Sequence, residues 1–144
     1  MQHVLYSHRA NLQQVPEIAD NILKHISKAN ILLLEGDLGT GKTTLVKTIL
    51  KKLGVNSEVT SPTFNLVNEY LSEDGQVFYH FDLYRIRHIG ELEEIGFREY
   101  LDSGNLCLVE WPEIAEPLIH DKALKLKIVH QEDERLYDLS IIGD

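Results

Sequence analysis

The residues best suited to chemistry stand in one run, Gly36-Asp37-Leu38-Gly39-Thr40-Gly41-Lys42-Thr43, with Thr44 behind it. Their spacing is G-x-x-x-x-G-K-[ST], the pattern of a phosphate-binding loop. Glycines let the backbone curl until successive N–H groups point inward and cradle a di- or triphosphate. Lys42 adds a point charge at the outer phosphates, and the Thr43 hydroxyl can hold Mg²⁺. A helix that starts here presents its N-terminus, with dipole and free N–H groups, to the same anion.

Such a loop needs an acid for the magnesium shell, usually at the end of a neighbouring buried strand. Two residues qualify. Glu110 ends the apolar run Leu106-Cys107-Leu108-Val109, which fits an interior strand beside the loop's own strand. Asp82 ends Val77-Phe78-Tyr79-His80-Phe81, where alternation puts His80 and Asp82 on one face. Sequence does not say which strand adjoins the loop. Glu110 is assigned to the metal shell or a position next to it. Asp82 is the candidate to orient or deprotonate water, with a metal contact as a second role and a strand-end cap as the plain alternative. An acid directly after an apolar run is costly unless used or exposed, which favours Glu110.

Other side chains carry two readings each. Ser61 and Thr63 flank Pro62 and could form a switch segment ordered by the γ-phosphate, or a turn before a strand. Arg85 could neutralise phosphate charge, grip a partner, or pair with a nearby acidic helix. His80 reads as a hydrogen-bonded structural histidine. Trp111 either packs over the nucleotide or a partner, or belongs to the core, which residue type slightly favours. Asn11 either caps a helix, the preferred reading, or lies near a bound base. With no Cys/His cluster, no zinc site is expected.

The elements that must position these groups are legible around them. Ile31-Leu32-Leu33-Leu34 is an unbroken apolar run that suits a strand buried on both faces. Leu45, Val46, Ile49, Leu50 and Leu53 fall on one side of a helix after the loop, and Gly54 supplies its C-cap. Residues 3–6 suggest a short first strand. Val15, Ile18, Ala19, Ile22 and Ile26 recur at helical spacing, with Pro16 in the first turn. Runs from Phe64 to Leu71 and from Gln76 to Asp82 flank Asp74-Gly75, a hairpin signal, so an antiparallel hairpin is inserted and the sheet is mixed. Acidic helical pieces follow at 90–95 and 97–101, separated by Gly96. A helical turn after Trp111-Pro112 is stopped by Pro117. Leu124, Leu126 and Ile128, then Tyr137, Leu139 and Ile141, alternate as a closing, half-exposed hairpin.

Composition sets the outer bounds. The 144 residues suit one domain, 1–144, and an apolar fraction of 43% allows an ordinary core. No stretch is long and apolar enough to cross a membrane. The opening Met1-Gln2-His3-Val4-Leu5 lacks the profile of a secretory leader. The single cysteine, Cys107, reads as a buried core thiol, and a reducing cytoplasm is the natural compartment. A net charge of −9 argues against strong direct binding to DNA or RNA. The cluster Lys47, Lys51, Lys52 is read as a solvated helix face.

Taken together, the glycine loop, Ser61-Pro62-Thr63-Phe64, His80-Phe81-Asp82-Leu83-Tyr84-Arg85 and Val109-Glu110-Trp111-Pro112 resemble the TsaE (YjeE) family of small bacterial P-loop ATPases. The acidic stretch Glu91 to Phe97 also looks like that family's. The resemblance is strong from 31 to 112 and looser outside. It implies a three-layer P-loop NTPase-like α/β fold with a mixed central sheet. It implies an ATPase subunit of the machinery that makes N6-threonylcarbamoyladenosine in tRNA, using ATP/ADP and Mg²⁺. The partners it implies are TsaD and TsaB, with tRNA reached only through the complex. By match to the motifs, Lys42 and Thr43 take the phosphate and Mg²⁺ roles, and Asp82 and Glu110 become the acids of the hydrolytic site. Ser61 and Thr63 become switch-like, and Trp111 gains functional weight. Thr40 stands where a small Ala is common and is expected to point away from the phosphates. Asn11 stands near a position often Ser or Thr.

Two other classes share the loop. A small-molecule or nucleotide kinase would need an acceptor pocket and a cation-rich lid, and no arginine-rich segment is apparent. A nucleotide-dependent binding module with negligible turnover is the non-enzyme reading.

Overall fold

The computed structural model describes residues 2–62 and 66–143. In chain order the main elements are β1 (Gln2–Ala10), α1 (Val15–Leu23), β2 (Ile31–Glu35), α2 (Lys42–Lys52), β3 (Val67–Leu71), β4 (Val77–Asp82), α3 (Ile89–Glu94), α4 (Phe97–Leu101), β5 (Leu106–Glu110), β6 (Ala123–Gln131) and β7 (Glu134–Ile142). The strands form one sheet in the order β1-β7-β6-β2-β5-β4-β3. Strands β4, β5, β2 and β6 run parallel in the middle. β3, β7 and β1 are antiparallel additions at the two sides.

Alternation along the central strands divides the core in two. Leu32, Leu34, Leu108, Leu124 and Leu126 pack under α1 and α2. Leu33, Val109, Phe81 and Cys107 face α3, α4 and the 3₁₀ turn Pro112–Leu118. Helices therefore cover both faces of a mostly parallel sheet, in three layers. The second face is aromatic. Phe81 meets Phe97 and Tyr100 edge-on, with ring centroids 5.0 and 5.3 Å apart.

The mixed sheet and the Asp74-Gly75 hairpin are as expected, with Gly75 at φ 89°. The hairpin's second strand, β4, also joins the parallel core through β5. Gly54 and Gly96 adopt positive φ at the helix boundaries read for them.

Boundaries differ from expectation at several points. β1 runs to Ala10 rather than 3–6, held by its pairing with β7; being mostly exposed, it carries little hydrophobic alternation to read. α1 ends at Leu23, and Ile26 reaches the same core from a separate 3₁₀ turn, Ile26–Lys28. The expected start of β3 at Phe64 lies outside the described residues, and the strand is seen from Val67. Pro117 lies inside its 3₁₀ turn rather than ending it, because that turn lacks the interior i→i−4 ladder a proline would break. The closing hairpin is also less peripheral than its half-polar pattern suggested. β6 lies between β7 and β2, so Leu124, Leu126 and Ile128 are core while its lysines face out. Among the described residues, no helix is long and apolar enough to cross a membrane, which leaves β-barrels unaddressed.

Candidate functional site

The register of three parallel strands builds the site. Leu34 on β2 pairs with Glu110 on β5, and Glu110 pairs with Asp82 on β4. The two acids thus end adjacent strands side by side, with Glu110 on the strand next to the loop's own. Both project on the face covered by α2, because they share strand parity with Leu108 and Phe78 of that core. The chain leaves β2, turns through the glycine loop and enters α2 at Lys42. Gly39 and Gly41 have φ of 80° and 95°, a region that favours glycine, and Gly41 is the N-cap of α2.

Thr43 is the meeting point. Its hydroxyl lies 3.0 and 3.1 Å from the two carboxylate oxygens of Glu110 and 3.1 Å from Ser61 Oγ. Glu110 is buried, and its Oε2 also lies 2.6 Å from His80 Nε2, a fully buried ring. With Nε2–H donating to Oε2, His80 holds this carboxylate from behind while Thr43 approaches from the front. His80 is a hydrogen-bonded histidine, as expected, and its partner is Glu110. The signal was its shared face with Asp82; pairing to Glu110 needed the strand order.

Asp82 is less enclosed. Its Oδ1 accepts from the backbone N–H of Tyr84 at 3.1 Å. Burial raises its pKa above the usual aspartate range, with Glu110 adding in the same direction and the Tyr84 N–H opposing.

Lys42 is 5% exposed. Its ammonium donates to the carbonyls of Gly36 and Asp37, the latter at 3.0 Å, and sits 4.0 Å from the centre of the Trp111 ring. Burial lowers its pKa, while Glu110, Glu113, Asp82 and Asp37 pull it back up. Trp111 is in the left-handed region at φ 57° and also contacts Tyr84, with ring centroids 4.8 Å apart. It packs on the second core and lines the cavity at once, so the slight preference for a purely core role is corrected.

A cavity of about 310 Å³ opens here, bounded by Lys42, Thr43, Ser61, Asp82, Glu110 and Trp111 among others. Leu38, Gly39, Gly41 and Thr44 complete its loop side, whereas Gly36 and Asp37 serve it through their bonds to Lys42. Thr40 is buried and donates to Asp37 O at 2.9 Å, a local bond inside the loop. Arg85 is exposed on a smaller neighbouring cleft shared with Ser61, Asp82 and Tyr84, and makes no ion pair among the described residues. Asn11 caps the 3₁₀ turn before α1, accepting from Gln13 N at 2.9 Å, and does not line the main cavity. Thr63 lies outside the described residues. Of the helix-face lysines, Lys47 and Lys51 are exposed and Lys52 pairs with Asp20 at 3.0 Å.

The donor set is chemically coherent. Two hydroxyls and two carboxylates converge beside a lysine and a glycine loop. Oxygen donors suit a hard cation such as Mg²⁺, which takes one or two carboxylates and completes its shell with water and phosphate.

Strand, glycine loop and helix in a three-layer sheet define a P-loop NTPase-like protein. The sequence model described as threonylcarbamoyl adenosine biosynthesis protein TsaE matches residues 9–137. The chain belongs to the TsaE family. The tRNA threonylcarbamoyladenosine biosynthesis protein TsaE of Haemophilus influenzae is 40% identical over 124 residues, 85% of this chain and 78% of the relative. The protein of that name from Bacillus subtilis is 35% identical over 136 residues, 93% of this chain and 84% of the relative. The crystal structure of Bacillus subtilis YdiB superposes with a TM-score of 0.74 at 32% identity, covering 99% of this chain and 88% of that one.

Proposed function

We propose that this protein is a Mg²⁺-dependent ATPase subunit required for N6-threonylcarbamoyladenosine formation in tRNA, acting in the cytoplasm with a TsaD–TsaB pair. The observation that carries the reading is the convergence of Thr43, Ser61 and Glu110 within hydrogen-bond distance at the mouth of the glycine loop. In this reading ATP or ADP lies along the loop, with Lys42 at its outer phosphates. Thr43 and Glu110 hold the magnesium shell, with Asp82 beside it. A bound Mg²⁺ would neutralise charge on the phosphate oxygens. Asp82 orients the attacking water. Its raised pKa gives it more proton affinity than an exposed aspartate, which suits a proton acceptor. Ser61 and Thr63 sense the outer phosphate as a switch, and Trp111 covers the lysine.

The whole chain is read as one such domain. Its acidity supports tRNA contact through the partners rather than directly. Turnover alone is slow, because part of the γ-phosphate charge lacks a stabilising contact. A partner that supplies one can accelerate hydrolysis by ~10³–10⁵. A kinase reading finds less support, since no arginine lines the main cavity among the described residues.

The test is ATP hydrolysis measured alone, with a TsaD–TsaB pair, and with candidate kinase acceptors. Stimulation by the pair is expected. Phosphoryl transfer to a small acceptor, with no response to the pair, would contradict the proposal.

A further inference from the structure

The closing hairpin reaches the glycine loop. Arg135, near the start of β7, donates from Nη2 to the carbonyl of Gly39 at 3.1 Å, across 96 residues of sequence. It pairs across the sheet with Ala10 on one side and His130 on the other, and shares strand parity with the core residues Tyr137 and Leu139. Its side chain therefore leaves the sheet on the α1/α2 face, the face that carries the loop. Its Nε is buried and makes no hydrogen bond among the described residues. Nε is covered while Nη2 reaches the loop carbonyl in an exposed hydrogen bond.

The bond matters because of what a phosphate cradle requires. It works by turning N–H groups, not carbonyls, towards the anion, so a carbonyl swung in beside the phosphates would repel them. Gly39 sits at φ 80°, where glycine moves freely and the peptide that follows could flip. A flip would turn a carbonyl towards the phosphates. Two bonds oppose it, one from Arg135 to the carbonyl of that peptide and one from its Thr40 N–H to Asp37 O at 3.3 Å. The same hairpin also meets the loop's first residue. A Cβ on Gly36 would stand 2.8 Å from Ile128 O on β6, so the loop can lie this close to the hairpin only with glycine there.

We propose that Arg135 is a positioning residue of the glycine loop, fixing the Gly39–Thr40 peptide with its carbonyl outward and so raising nucleotide affinity. This rests on the reading of the loop as a nucleotide site. Two measurements separate the claims. First, amide hydrogen exchange at Thr40 in the nucleotide-free protein should accelerate in Arg135→Ala relative to wild type, while amides of β2 keep their rates. Second, titration with Mg²⁺-ADP should give an affinity about tenfold weaker for Arg135→Ala, as expected for one hydrogen bond from a charged donor. The melting temperature should be close to wild type, and Arg135→Lys, which keeps a cationic donor, should recover part of the loss. Under turnover the effect should fall on KM for ATP with kcat nearly unchanged.

Unchanged Thr40 exchange and unchanged affinity in Arg135→Ala, beside a Lys42→Ala control that binds nothing, would overturn the positioning role and leave the nucleotide site standing. Affinity and melting temperature falling together, with no recovery in Arg135→Lys, would also overturn it. A wild-type protein that binds no nucleotide would remove both claims. Should Arg135→Ala not fold, Arg135→Gln takes its place with the same outcomes.

Discussion

The two faces of the central sheet are built from the same strands and do opposite things. On the α3/α4 face the C-terminal ends of β4 and β5 carry Phe81 and Val109, closed over by Phe97 and Tyr100. One residue away on each strand, the α2 face carries His80, Asp82 and Glu110. The aromatic face needs nothing beyond contact and exclusion of water. The other face sets a fully buried histidine against a buried carboxylate and leaves a raised-pKa aspartate beside them. Strand periodicity thus lets a five- or six-residue strand present an apolar core on one side and a wall of titratable groups on the other.

If that division holds, variants on the two faces should separate cleanly. The largest effect belongs to Lys42→Ala, which removes the charge at the loop. Nucleotide affinity should fall by at least ~10²-fold, to below detection in a calorimetric titration. Glu110→Gln keeps an oxygen acceptor for Thr43 and His80 but loses the charge. Partner-stimulated turnover should drop by ~10²–10³ with a smaller change in binding, read by phosphate release. Normal turnover would end Glu110's catalytic role.

On the aromatic face, Phe97→Ala should cost about 3–5 kcal/mol of stability. That is a fall of roughly 10–17 °C in melting temperature, seen by calorimetry, while nucleotide affinity measured well below that temperature stays at wild type. A comparable loss of affinity would mean the faces are coupled.

The smallest effect sharpens the role of Asp82. Its pKa is raised in the folded state, chiefly by burial. Its contribution to stability is therefore full below the ordinary aspartate pKa and is lost as pH rises through the folded value. Asp82→Asn, which cannot ionise, should melt slightly higher than wild type at pH 7, with the gain shrinking as pH falls to about 4. The same variant should hydrolyse ATP more slowly. A melting temperature below wild type at pH 7 would show that the carboxylate serves folding rather than chemistry.

The parts of this division that were readable in the sequence are those carried by local pattern. The glycine loop, the apolar run before it and the helix after it form a contiguous signal. So does the placing of His80 and Asp82 on one face, because alternation is a local property. The pairing of His80 with Glu110 was not readable, since it depends on β4 and β5 being neighbours in register. Arg135 was invisible for the same reason. Nothing near it in sequence suggests phosphate chemistry, and only the order β7-β6-β2 brings it to Gly39. β1 was underestimated because an exposed edge strand has no buried face to impose alternation. Trp111 was ambiguous for a physical reason: its ring packs on one core and lines the cavity at once.

The central claim is that the α2 face of the sheet, at the ends of β2, β5 and β4, binds a nucleotide with magnesium. Equilibrium dialysis against labelled ATP with Mg²⁺ addresses it most directly, run on wild type, Lys42→Ala and Phe97→Ala. The account predicts saturable binding of one ATP per chain to wild type and Phe97→Ala, and none to Lys42→Ala. Binding that survives in Lys42→Ala, or no binding by wild type at millimolar ATP, would contradict it.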